Sequence, residues 1–342
     1  MPALPSVAVV ILNWNGREFL RQFLPGVIEH SAGFAEVIVA DNASTDSSVE
    51  FLQDNFPQIR IIQNRTNGGF AKGYNDALAQ VDADYYVLLN SDIEVTENWI
   101  KPVIDLMEQD EKIAACQPRL RSYHHTEKFE YAGAAGGFID RYGYPFCRGR
   151  IFQSIETDKG QYDTPAEIFW ATGACMFVKA RVYKELGGLD EDFFAHMEEI
   201  DFCWRLKNKG YRVMYCPDSV VYHVGGGTLP KQSSHKTYLN FRNNLALLYK
   251  NLPADQLLAV FAVRFPLDGV AAITFLLGAG FADFYAVLRA HGYFYRNLMR
   301  LRTKRKMLQH NKVTMIYNAN LVVEYHIRKK KSFTDLDHAR FS

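Results

Sequence analysis

The sequence predicts an α/β fold, with a mostly parallel central sheet, helices on both faces and a C-terminal helical extension. Short apolar runs alternate with amphipathic segments as far as about residue 110, and strand, helix, strand repeats imply parallel pairing. Polar residues follow several of the apolar runs directly. The last third of the chain is both more apolar and more basic. We therefore expect an α/β unit over residues 1–230 and a second, helical region over residues 231–342.

The elements of the first half follow one another closely. The amphipathic pattern of Phe19, Leu20, Phe23 and Leu24 predicts a helix after the first strand. Ser44 or Thr45 can cap the second helix, with Asp46 in its first turn. The predicted strands are 7–12, 36–40, 59–63 and 85–89, and the further helices are 44–56, 73–79 and 99–108.

The middle of the chain has less regular patterning. Residues 116–165 are aromatic and glycine-rich without a clear period, which predicts short mixed strands and loops. An apolar run over 170–178 predicts a buried strand. A short helix over 180–186, an aromatic loop over 190–197, a helix over 198–209 and strands at 212–216 and 220–222 complete the unit.

The last third has a different character. Residues 238–252 predict an aromatic and basic helix, and residues 257–288 are strongly apolar but interrupted by Arg264, Pro266, Asp268 and Asp283. Basic clusters at 300–306 and 328–331 flank this segment. Such a pattern favours helices that lie on an anionic membrane surface over helices that cross it. The alternative is a helical subdomain whose apolar faces pack within the protein.

Composition limits the functional classes. The chain has 39 basic and 38 acidic residues, and this balance argues against a nucleic-acid partner. The five cysteines form no Cys-x-x-Cys pair, so neither a disulfide framework nor a zinc site is predicted. The N-terminus lacks the basic start of a signal peptide. We expect a cytoplasmic protein, peripheral at the inner face of the cytoplasmic membrane.

Asn90, Ser91 and Asp92 follow the buried run 85–89 directly. Open α/β sheets bind ligands at the carboxyl ends of their strands, where Asp92 would point. A hard divalent cation that bridges a diphosphate needs few protein oxygens, so one carboxylate can suffice. His223 follows the last strand of the unit, and a neutral imidazole is a common metal ligand. The glycines at 225–227 would let the next loop fold over a diphosphate.

The first two strands also end in polar residues. Asp41 can accept hydrogen bonds from a ribose or a base, although it can equally cap the next helix. The loop after the first strand is Asn13-Trp14-Asn15-Gly16. It carries neither the Gly-x-Gly-x-x-Gly of dinucleotide folds nor a phosphate-binding Gly-x-x-x-x-Gly-Lys loop. Redox enzymes and nucleotide triphosphatases are therefore disfavoured.

Two further motifs mark helix starts. Asn67, Gly69 and Lys72 precede or open a helix, where free amides and a lysine would meet a phosphate, but Gly68-Gly69 is equally consistent with a plain turn. Glu198, Glu199 and Asp201 place three carboxylates in one helical turn. Helix capping explains at least one of them. Crowded like charges raise a carboxyl pKa, which suits a base that deprotonates an alcohol.

Together these motifs resemble those of family 2 inverting glycosyltransferases, most closely the bacterial rhamnosyltransferase-like branch. They occur in the order expected of that family and cover residues 6 to about 230. The resemblance implies a GT-A fold, a nucleotide-diphosphate sugar donor and a divalent cation, either Mg²⁺ or Mn²⁺. The segments that carry it are 10–16, 39–46, 67–75, 88–92 and 198–201.

The resemblance also implies roles for individual residues. Asp92 and His223 would hold the cation, and Asp41 the base or ribose. The family's Glu-Asp pair falls on Glu198 and Glu199, so the position of the catalytic aspartate is a glutamate here. Either of the two residues can therefore be the base. Asp201 lies beside them in the sequence. Separately from the resemblance, Trp170 and Phe194 are candidate acceptor walls because aromatic faces pack on sugar C–H surfaces, although core packing is the alternative and is equally consistent with Trp170. The remaining expected nucleotide contacts are Asn13, Asn15, Asn67, Gly69, Lys72, Asn90 and Ser91.

These expectations define the partners and the competing interpretations. The partners would be a nucleotide-diphosphate sugar, a glycan or lipid-linked glycan acceptor of cell-surface polysaccharide synthesis, and an anionic membrane surface. The alternative is a catalytically inactive protein of the same fold that binds nucleotide sugars or assists assembly. A sugar-phosphate nucleotidyltransferase would need a glycine-rich, arginine-containing loop after the first strand, and Asn13-Trp14-Asn15-Gly16 does not provide one.

Overall fold

The computed structural model describes residues 5–225 and 233–342 of the chain. The glycines at 226 and 227, which were expected to help close a loop over a diphosphate, lie outside these residues. The first half contains, in order, β1 (Val7–Asn13), α1 (Arg17–Ser31), β2 (Glu36–Asp41), α2 (Ser48–Asn55), β3 (Arg60–Gln63), α3 (Gly69–Leu78), β4 (Tyr85–Asn90), β5 (Ile93–Val95) and α4 (Lys101–Glu108).

The second half begins with a series of strands. These are β6 (Ile113–Ser122), β7 (Gly137–Asp140), β8 (Pro145–Cys147), β9 (Arg150–Ile151), β10 (Ser154–Ile155), β11 (Ala166–Ile168) and β12 (Cys175–Lys179). The remaining elements are α5 (Ala180–Glu185), α6 (Glu198–Asn208), β13 (Arg212–His223), α7 (Ser234–Asn251), α8 (Ala254–Gly278), α9 (Phe281–Arg296), α10 (Leu298–Lys306) and β14 (Ile316–Tyr317).

The large sheet has the strand order β11-β13-β6-β12-β4-β1-β2-β3, with β5 paired to β13. Its β4-β1-β2-β3 half is parallel, as the strand and helix alternation predicts. The other half is mixed, because β12 runs antiparallel to both β4 and β6, and β11 and β5 run antiparallel to β13. The prediction of a mostly parallel sheet therefore holds only for the N-terminal half.

Helices cover both faces of this sheet. Side chains alternate along β1, so that Val9 and Ile11 pack with α1 and α4, whereas Ala8 and Val10 pack with α3 and α6. Burial on both faces explains why these strands are continuous apolar runs in the sequence. The core is thus two apolar layers separated by the sheet, and its polar strand ends are left at one edge.

Four of the predicted element boundaries are wrong. Helix α2 begins at Ser48 and not at Ser44, because Asp46 accepts hydrogen bonds from the amides of Arg17 and Ser48 and so holds residues 42–47 in a loop. Helix α3 begins at Gly69, four residues before the predicted start. The predicted strand 170–178 begins only at Cys175, and the two strands predicted at 212–216 and 220–222 form the single irregular strand β13.

A second, smaller sheet has the order β10-β9-β8-β7-β14. Strand β14 comes from the end of the chain and pairs in parallel with β7. The rings of Phe138, Phe146, Tyr317, Phe333 and Phe341 pack together there, with centroid separations of 5.0 to 6.3 Å. The C-terminal helices are confirmed, but the last α-helix ends at Lys306, and the residues after it, which include short helical turns, pack on the irregular segment of the first unit. The boundary near residue 230 stays a prediction.

Helix α8 is the one element in the described residues that is long and apolar enough to cross a membrane, as judged by length and composition. Helix α8 has 25 residues, and its most apolar part lies mostly outside the protein core, because only 22% of that part is buried. Arg264 and Asp268 are buried on its inner side and form an ion pair with Nε to Oδ1 at 2.8 Å. The apolar segment predicted at 257–288 is divided between two helices, α8 and α9, with a turn at Gly280.

Candidate active site

The ends of β1, β2 and β4 meet at one edge of the large sheet. The register pairs Asn13 with Asp41, and Leu12 with Asn90. Strand β5 follows Asp92 and pairs with the end of β13, where His223 lies opposite Ile93. Polar residues that are far apart in the sequence therefore share the edge at which parallel sheets bind ligands.

The loops after β1 and β2 are joined by hydrogen bonds. The Asp41 carboxylate is buried and accepts from Asn13 Nδ2 at 3.2 Å and from the Ser44 amide at 2.9 Å. Asn15, whose φ is 51°, accepts from the Thr45 amide at 2.7 Å. Gly16 is needed there because a Cβ would lie 2.5 Å from Asn13 Oδ1. Asp41 thus shapes the loop around it as well as lying at the predicted nucleotide site.

Asp92 and His223 lie together, as the sequence predicts. His223 Nε2 is 3.3 Å from Asp92 Oδ1, and both side chains are about nine-tenths buried. Two ligand atoms that are each about 2.1 Å from an octahedral ion lie about 3 Å apart, so this spacing fits a shared Mg²⁺ or Mn²⁺. Asn90 and Ser91 lie beside them, and Ser91 Oγ faces Gly16. The Asp92 carboxylate is a suitable ligand for a divalent cation, and His223 would add Nε2 as a second ligand only when its imidazole is neutral.

Glu130 completes this group, and sequence reasoning missed it. Its Oε1 lies 3.4 Å from His223 Nδ1, which has no hydrogen-bond partner among the described residues. Burial lowers the pKa of His223, but Glu130 and Asp92 outweigh burial and raise this pKa to about 10. Burial alone would raise the pKa of Asp92, but contact with His223 keeps this pKa below its usual value. Glu130 therefore orients the imidazole from the side opposite to Asp92.

Helix α6 begins with the two glutamates. Glu198 is 4% exposed and Glu199 is partly exposed, and the Oε2 atom of each is buried without a hydrogen-bond partner among the residues that the structure describes. Burial, with the nearby charge of Glu199, raises the pKa of Glu198 well above its usual value. Burial raises the pKa of Glu199 to about 7. Near neutral pH, Glu199 is therefore the member of the pair that can be ionised.

Asp201 is not part of that pair. Its fully buried carboxylate accepts hydrogen bonds from Arg205 Nε, Lys250 Nζ and Asn251 Nδ2, each at 2.8 Å. Lys250 also pairs with Asp190. Burial would raise the pKa of Asp201, but the charges of Lys250 and Arg205 hold it below its usual value. This placement gives Asp201 a structural role instead of the catalytic one that the sequence suggested.

Replacing Lys250 by Met is expected to lower the free energy of unfolding by about 3–5 kcal/mol, because it leaves Asp190 and Asp201 as buried charges without this cation. Chemical denaturation measures the change. The matched control is Lys101→Met, which removes an ion pair to Asp105 whose side chains are 54% and 56% exposed, and there a change of about 0–1 kcal/mol is expected. Equal losses in the two variants would contradict the role given to Lys250.

The loop before the glutamates is held in an unusual conformation. Phe194, His196 and Met197 have φ angles of 64°, 69° and 73°. The Nδ2 group of Asn243 on α7 lies within 3.0 Å of the carbonyl oxygens of Phe193, Ala195 and His196. Positive φ angles in residues other than glycine are costly and persist where the surroundings impose them. Asn243, which the sequence did not indicate, therefore fixes the start of α6.

The two predicted acceptor walls have different surroundings. Trp170 is 3% exposed, its Nε1 donates to the Phe138 carbonyl at 2.9 Å, and its ring packs on Gly137. It is therefore a core residue, and of the two roles left open for Trp170 the structure supports core packing. Phe194 is 38% exposed and covers Gly69, where φ is 80° and a Cβ would collide with the Phe194 carbonyl oxygen.

The start of α3 is less open than the phosphate-binding prediction requires. The Gly69 amide donates to Asn67 Oδ1 at 2.9 Å, and the Phe70 amide donates to the Phe194 carbonyl at 2.7 Å. Lys72 Nζ lies 2.8 Å from Asp76, one turn further along the helix. These first amides and this lysine already have protein partners. The hydrogen bond from the Phe70 amide to the Phe194 carbonyl does, however, join the loop before Glu198 to the carboxyl edge of the sheet.

Comparison with known proteins identifies the family of this chain. The model of "Glycosyl transferase family 2" matches residues 8–187. An N-acetylglucosaminyl-diphospho-decaprenol L-rhamnosyltransferase of Mycobacterium tuberculosis is 24% identical over 248 residues, which are 68% of this chain and 80% of that protein. The dTDP-rhamnosyl transferase RfbF of Shigella flexneri is 25% identical over 263 residues, 72% of this chain and 81% of its own.

A solved structure supports the fold. The mannosyltransferase PcManGT of Pyrobaculum calidifontis, in complex with GDP-Man and Mn²⁺, superposes with a TM-score of 0.53 at 15% sequence identity. The match covers 90% of this chain and 84% of that protein. At this identity the similarity establishes a shared glycosyltransferase fold.

Proposed function

This chain belongs to glycosyl transferase family 2, and we propose that it transfers a sugar, with inversion, from a nucleotide-diphosphate donor to a hydroxyl group with the help of Mg²⁺ or Mn²⁺. The observation that carries the mechanism is the pair of Glu198 and Glu199, whose Oε2 atoms are buried without a hydrogen-bond partner among the described residues. Contacts from Phe194 to the start of α3 join this pair to the sheet edge that holds Asp92 and His223.

In this mechanism Glu199 accepts the proton of the acceptor hydroxyl while that oxygen bonds to the anomeric carbon. The bond from the anomeric carbon to the diphosphate oxygen breaks on the opposite face, so the configuration inverts. Burial raises the pKa of Glu198 well above its usual value, and in its neutral form this carboxyl can donate a hydrogen bond near the reacting groups. Asp92 and His223 would hold the cation, which when bound supplies a Lewis acid for the charge of the departing diphosphate.

The nucleotide would lie on the loops after β1 and β2. Asn13 Oδ1 is buried without a hydrogen-bond partner in the described part of the chain, and Asp41 lies beside it. We propose Asp41 and Asn13 for the base or ribose, and Asn15, Asn90 and Ser91 for the rest of the nucleotide. Asn67 and Gly69 would act by holding the start of α3. Lys72, which is paired with Asp76, would reach the diphosphate only after changing partner.

Relatives guide the choice of substrates to test. Two of them are named as rhamnosyltransferases, and the name of one includes a diphospho-decaprenol acceptor. We propose a hexosyl or deoxyhexosyl donor and a lipid-linked glycan acceptor in cell-envelope polysaccharide synthesis. The protein would then work at the cytoplasmic face of the membrane. The inactive alternative gains no support from the site, since the glutamates and the Asp92–His223 pair are all in place.

The proposed base predicts the pH dependence of the reaction. A base must be ionised, and the pKa of Glu199 is raised to about 7 by burial. We therefore expect kcat/KM for release of the nucleoside diphosphate to rise with pH through about 7, falling about tenfold per unit well below this value. The rate is measured between about pH 5.5 and 8.5 at saturating Mn²⁺. A rate that is flat over this range would contradict Glu199 as the base.

A further inference from the structure

The turn between α8 and α9 carries an uncharged apolar surface with no cover in the described residues. We call residues 269–282 the hairpin tip. The tip has no Asp, Glu, Lys, Arg or His. Its one hydroxyl, on Thr274, donates to the Val270 carbonyl at 2.9 Å, so that donor is already satisfied. The large exposed side chains of the tip are Val270, Ile273, Leu276, Leu277 and Phe281, with exposed fractions from 44% to 84%.

The base of the hairpin, in contrast, is fastened to the protein. Asp268 is fully buried, and its carboxylate accepts from Arg264 Nε at 2.8 Å and lies 3.1 Å from His291 Nε2 on α9. Arg264 also donates to the Tyr142 carbonyl at 3.0 Å and lies over the ring of Tyr144. The charged residues of α8 and α9 lie at the base of the hairpin, where the contacts with the catalytic unit are, and none lies in the tip. The tip is therefore a projection from a fixed base.

The length of the tip matches half a membrane. At a rise of about 1.5 Å per residue, the helical residues 269–278 extend about 15 Å, whereas a bilayer has about 30 Å of hydrocarbon. The chain turns back at Gly280 and is charged again at Asp283. Such a hairpin can enter one leaflet but cannot reach the other side. Helix α8 alone is long enough to span, but its inner charged residues are held in the protein.

The surface beside the tip is basic and aromatic. Tyr285 is more than half exposed on α9, two residues after Asp283, where a tyrosine can place its ring at the headgroups. Exposed cations follow along α9 and α10, and the first of them, Arg289, lies about 10 Å along α9 from the tip, where it complements an anionic leaflet. These cations are Arg289, Arg296, Arg300, Arg302 and Lys306.

The hairpin is also coupled to the loop that precedes the glutamates. Thr237 Oγ1 on α7 donates to Asp283 Oδ1, at the base of the tip, at 2.5 Å. Six residues further along the same helix, Asn243 holds the carbonyls of the loop before Glu198. Six helical residues correspond to about 9 Å. A membrane that covers the tip would therefore lie close to the catalytic loop.

We propose that the hairpin tip inserts into one leaflet of an anionic membrane and holds the catalytic loop at the level of the lipid headgroups. The occupant of the apolar surface is lipid, because the surface is apolar on all sides near Leu277 and is followed by cations. The insertion stands by itself. Only its consequence, that the acceptor hydroxyl is presented by a lipid at this surface, rests on the proposed function.

Sedimentation with vesicles of phosphatidylcholine and phosphatidylglycerol tests the insertion. The full chain is expected to pellet with them, and the double substitution Leu277→Glu and Phe281→Glu is expected to weaken binding at least about tenfold. Both side chains are exposed, so the fold is not expected to change. The matched control is Phe34→Glu, which alters a 46% exposed aromatic residue in the catalytic unit and should bind like the parent.

A second measurement fixes the depth. In Phe281→Trp, lipids brominated in their acyl chains should quench fluorescence beyond the quenching of the parent. Vesicle binding that survives the double substitution, or quenching in Phe281→Trp that does not exceed that of the parent, would overturn the inference. So would a dimer in solution that the double substitution dissociates, since a second copy would then cover the tip. Binding of a nucleoside diphosphate with Mn²⁺ reports separately on the proposed function, and its loss leaves the insertion result unaffected.

Discussion

Replacing Glu199 by Gln is expected to lower turnover by about 10²- to 10⁴-fold, the usual contribution of a positioned general base. The amide keeps the shape of the side chain but cannot accept the acceptor proton. Donor binding should stay within about twofold of the parent, because Glu199 bonds to the acceptor and not to the nucleotide in this mechanism. Single-turnover release of nucleoside diphosphate and calorimetric binding of the donor measure the two effects.

The neighbouring glutamate provides the discriminating comparison. Burial raises the pKa of Glu198 well above its usual value, and a glutamine closely resembles the neutral form that burial favours. Glu198→Gln should therefore retain much more activity than Glu199→Gln. The surface control is Glu185→Gln, which should behave like the parent. Full activity in Glu199→Gln, with a large loss in Glu198→Gln, would move the base to Glu198.

Replacing Asp92 by Asn is expected to lower turnover by at least about 10²-fold and to remove the response to Mn²⁺. Asparagine keeps the size of the side chain but loses the charge that attracts the cation, and Lewis-acid stabilisation of a departing phosphate contributes several kcal/mol. The rate is measured against Mn²⁺ concentration. The adjacent strand offers a control, since Glu94 is exposed and Glu94→Gln should leave the curve unchanged. An Asp92→Asn enzyme with the parent's Mn²⁺ response would place the cation elsewhere.

The sequence predicted the site residues at the strand ends more accurately than those in the loops. Asn13, Asp41 and Asp92 follow continuous apolar strands, and parallel register alone brings these ends to one edge. His223 also ends a strand, but the antiparallel pairing of β5 with β13 brings it to Asp92. Glu130 could not, because it lies in the irregular segment 116–165, and its position next to His223 is set by contacts distant along the chain.

Other errors have the same origin in tertiary contacts. Helix α3 starts early because the Phe194 carbonyl binds the Phe70 amide, 124 residues away in the sequence. The aromatic side chain of Trp170 suited an acceptor wall, but it is buried, and its indole N–H donates to the Phe138 carbonyl of the small sheet. Asp201 was grouped with the glutamates by spacing alone, whereas its partner Lys250 comes from the C-terminal region. Local patterns carry no information about such partners.

The most direct test of the central claim is calorimetric binding of uridine, thymidine and guanosine diphosphates, each with and without Mn²⁺. The account predicts that one of them binds, that Mn²⁺ strengthens this binding, and that Asp92→Asn abolishes the Mn²⁺ effect while Glu94→Gln keeps it. Binding of none of the three, or binding that is equal with and without Mn²⁺, would contradict a metal-dependent nucleotide-sugar site at Asp92 and His223.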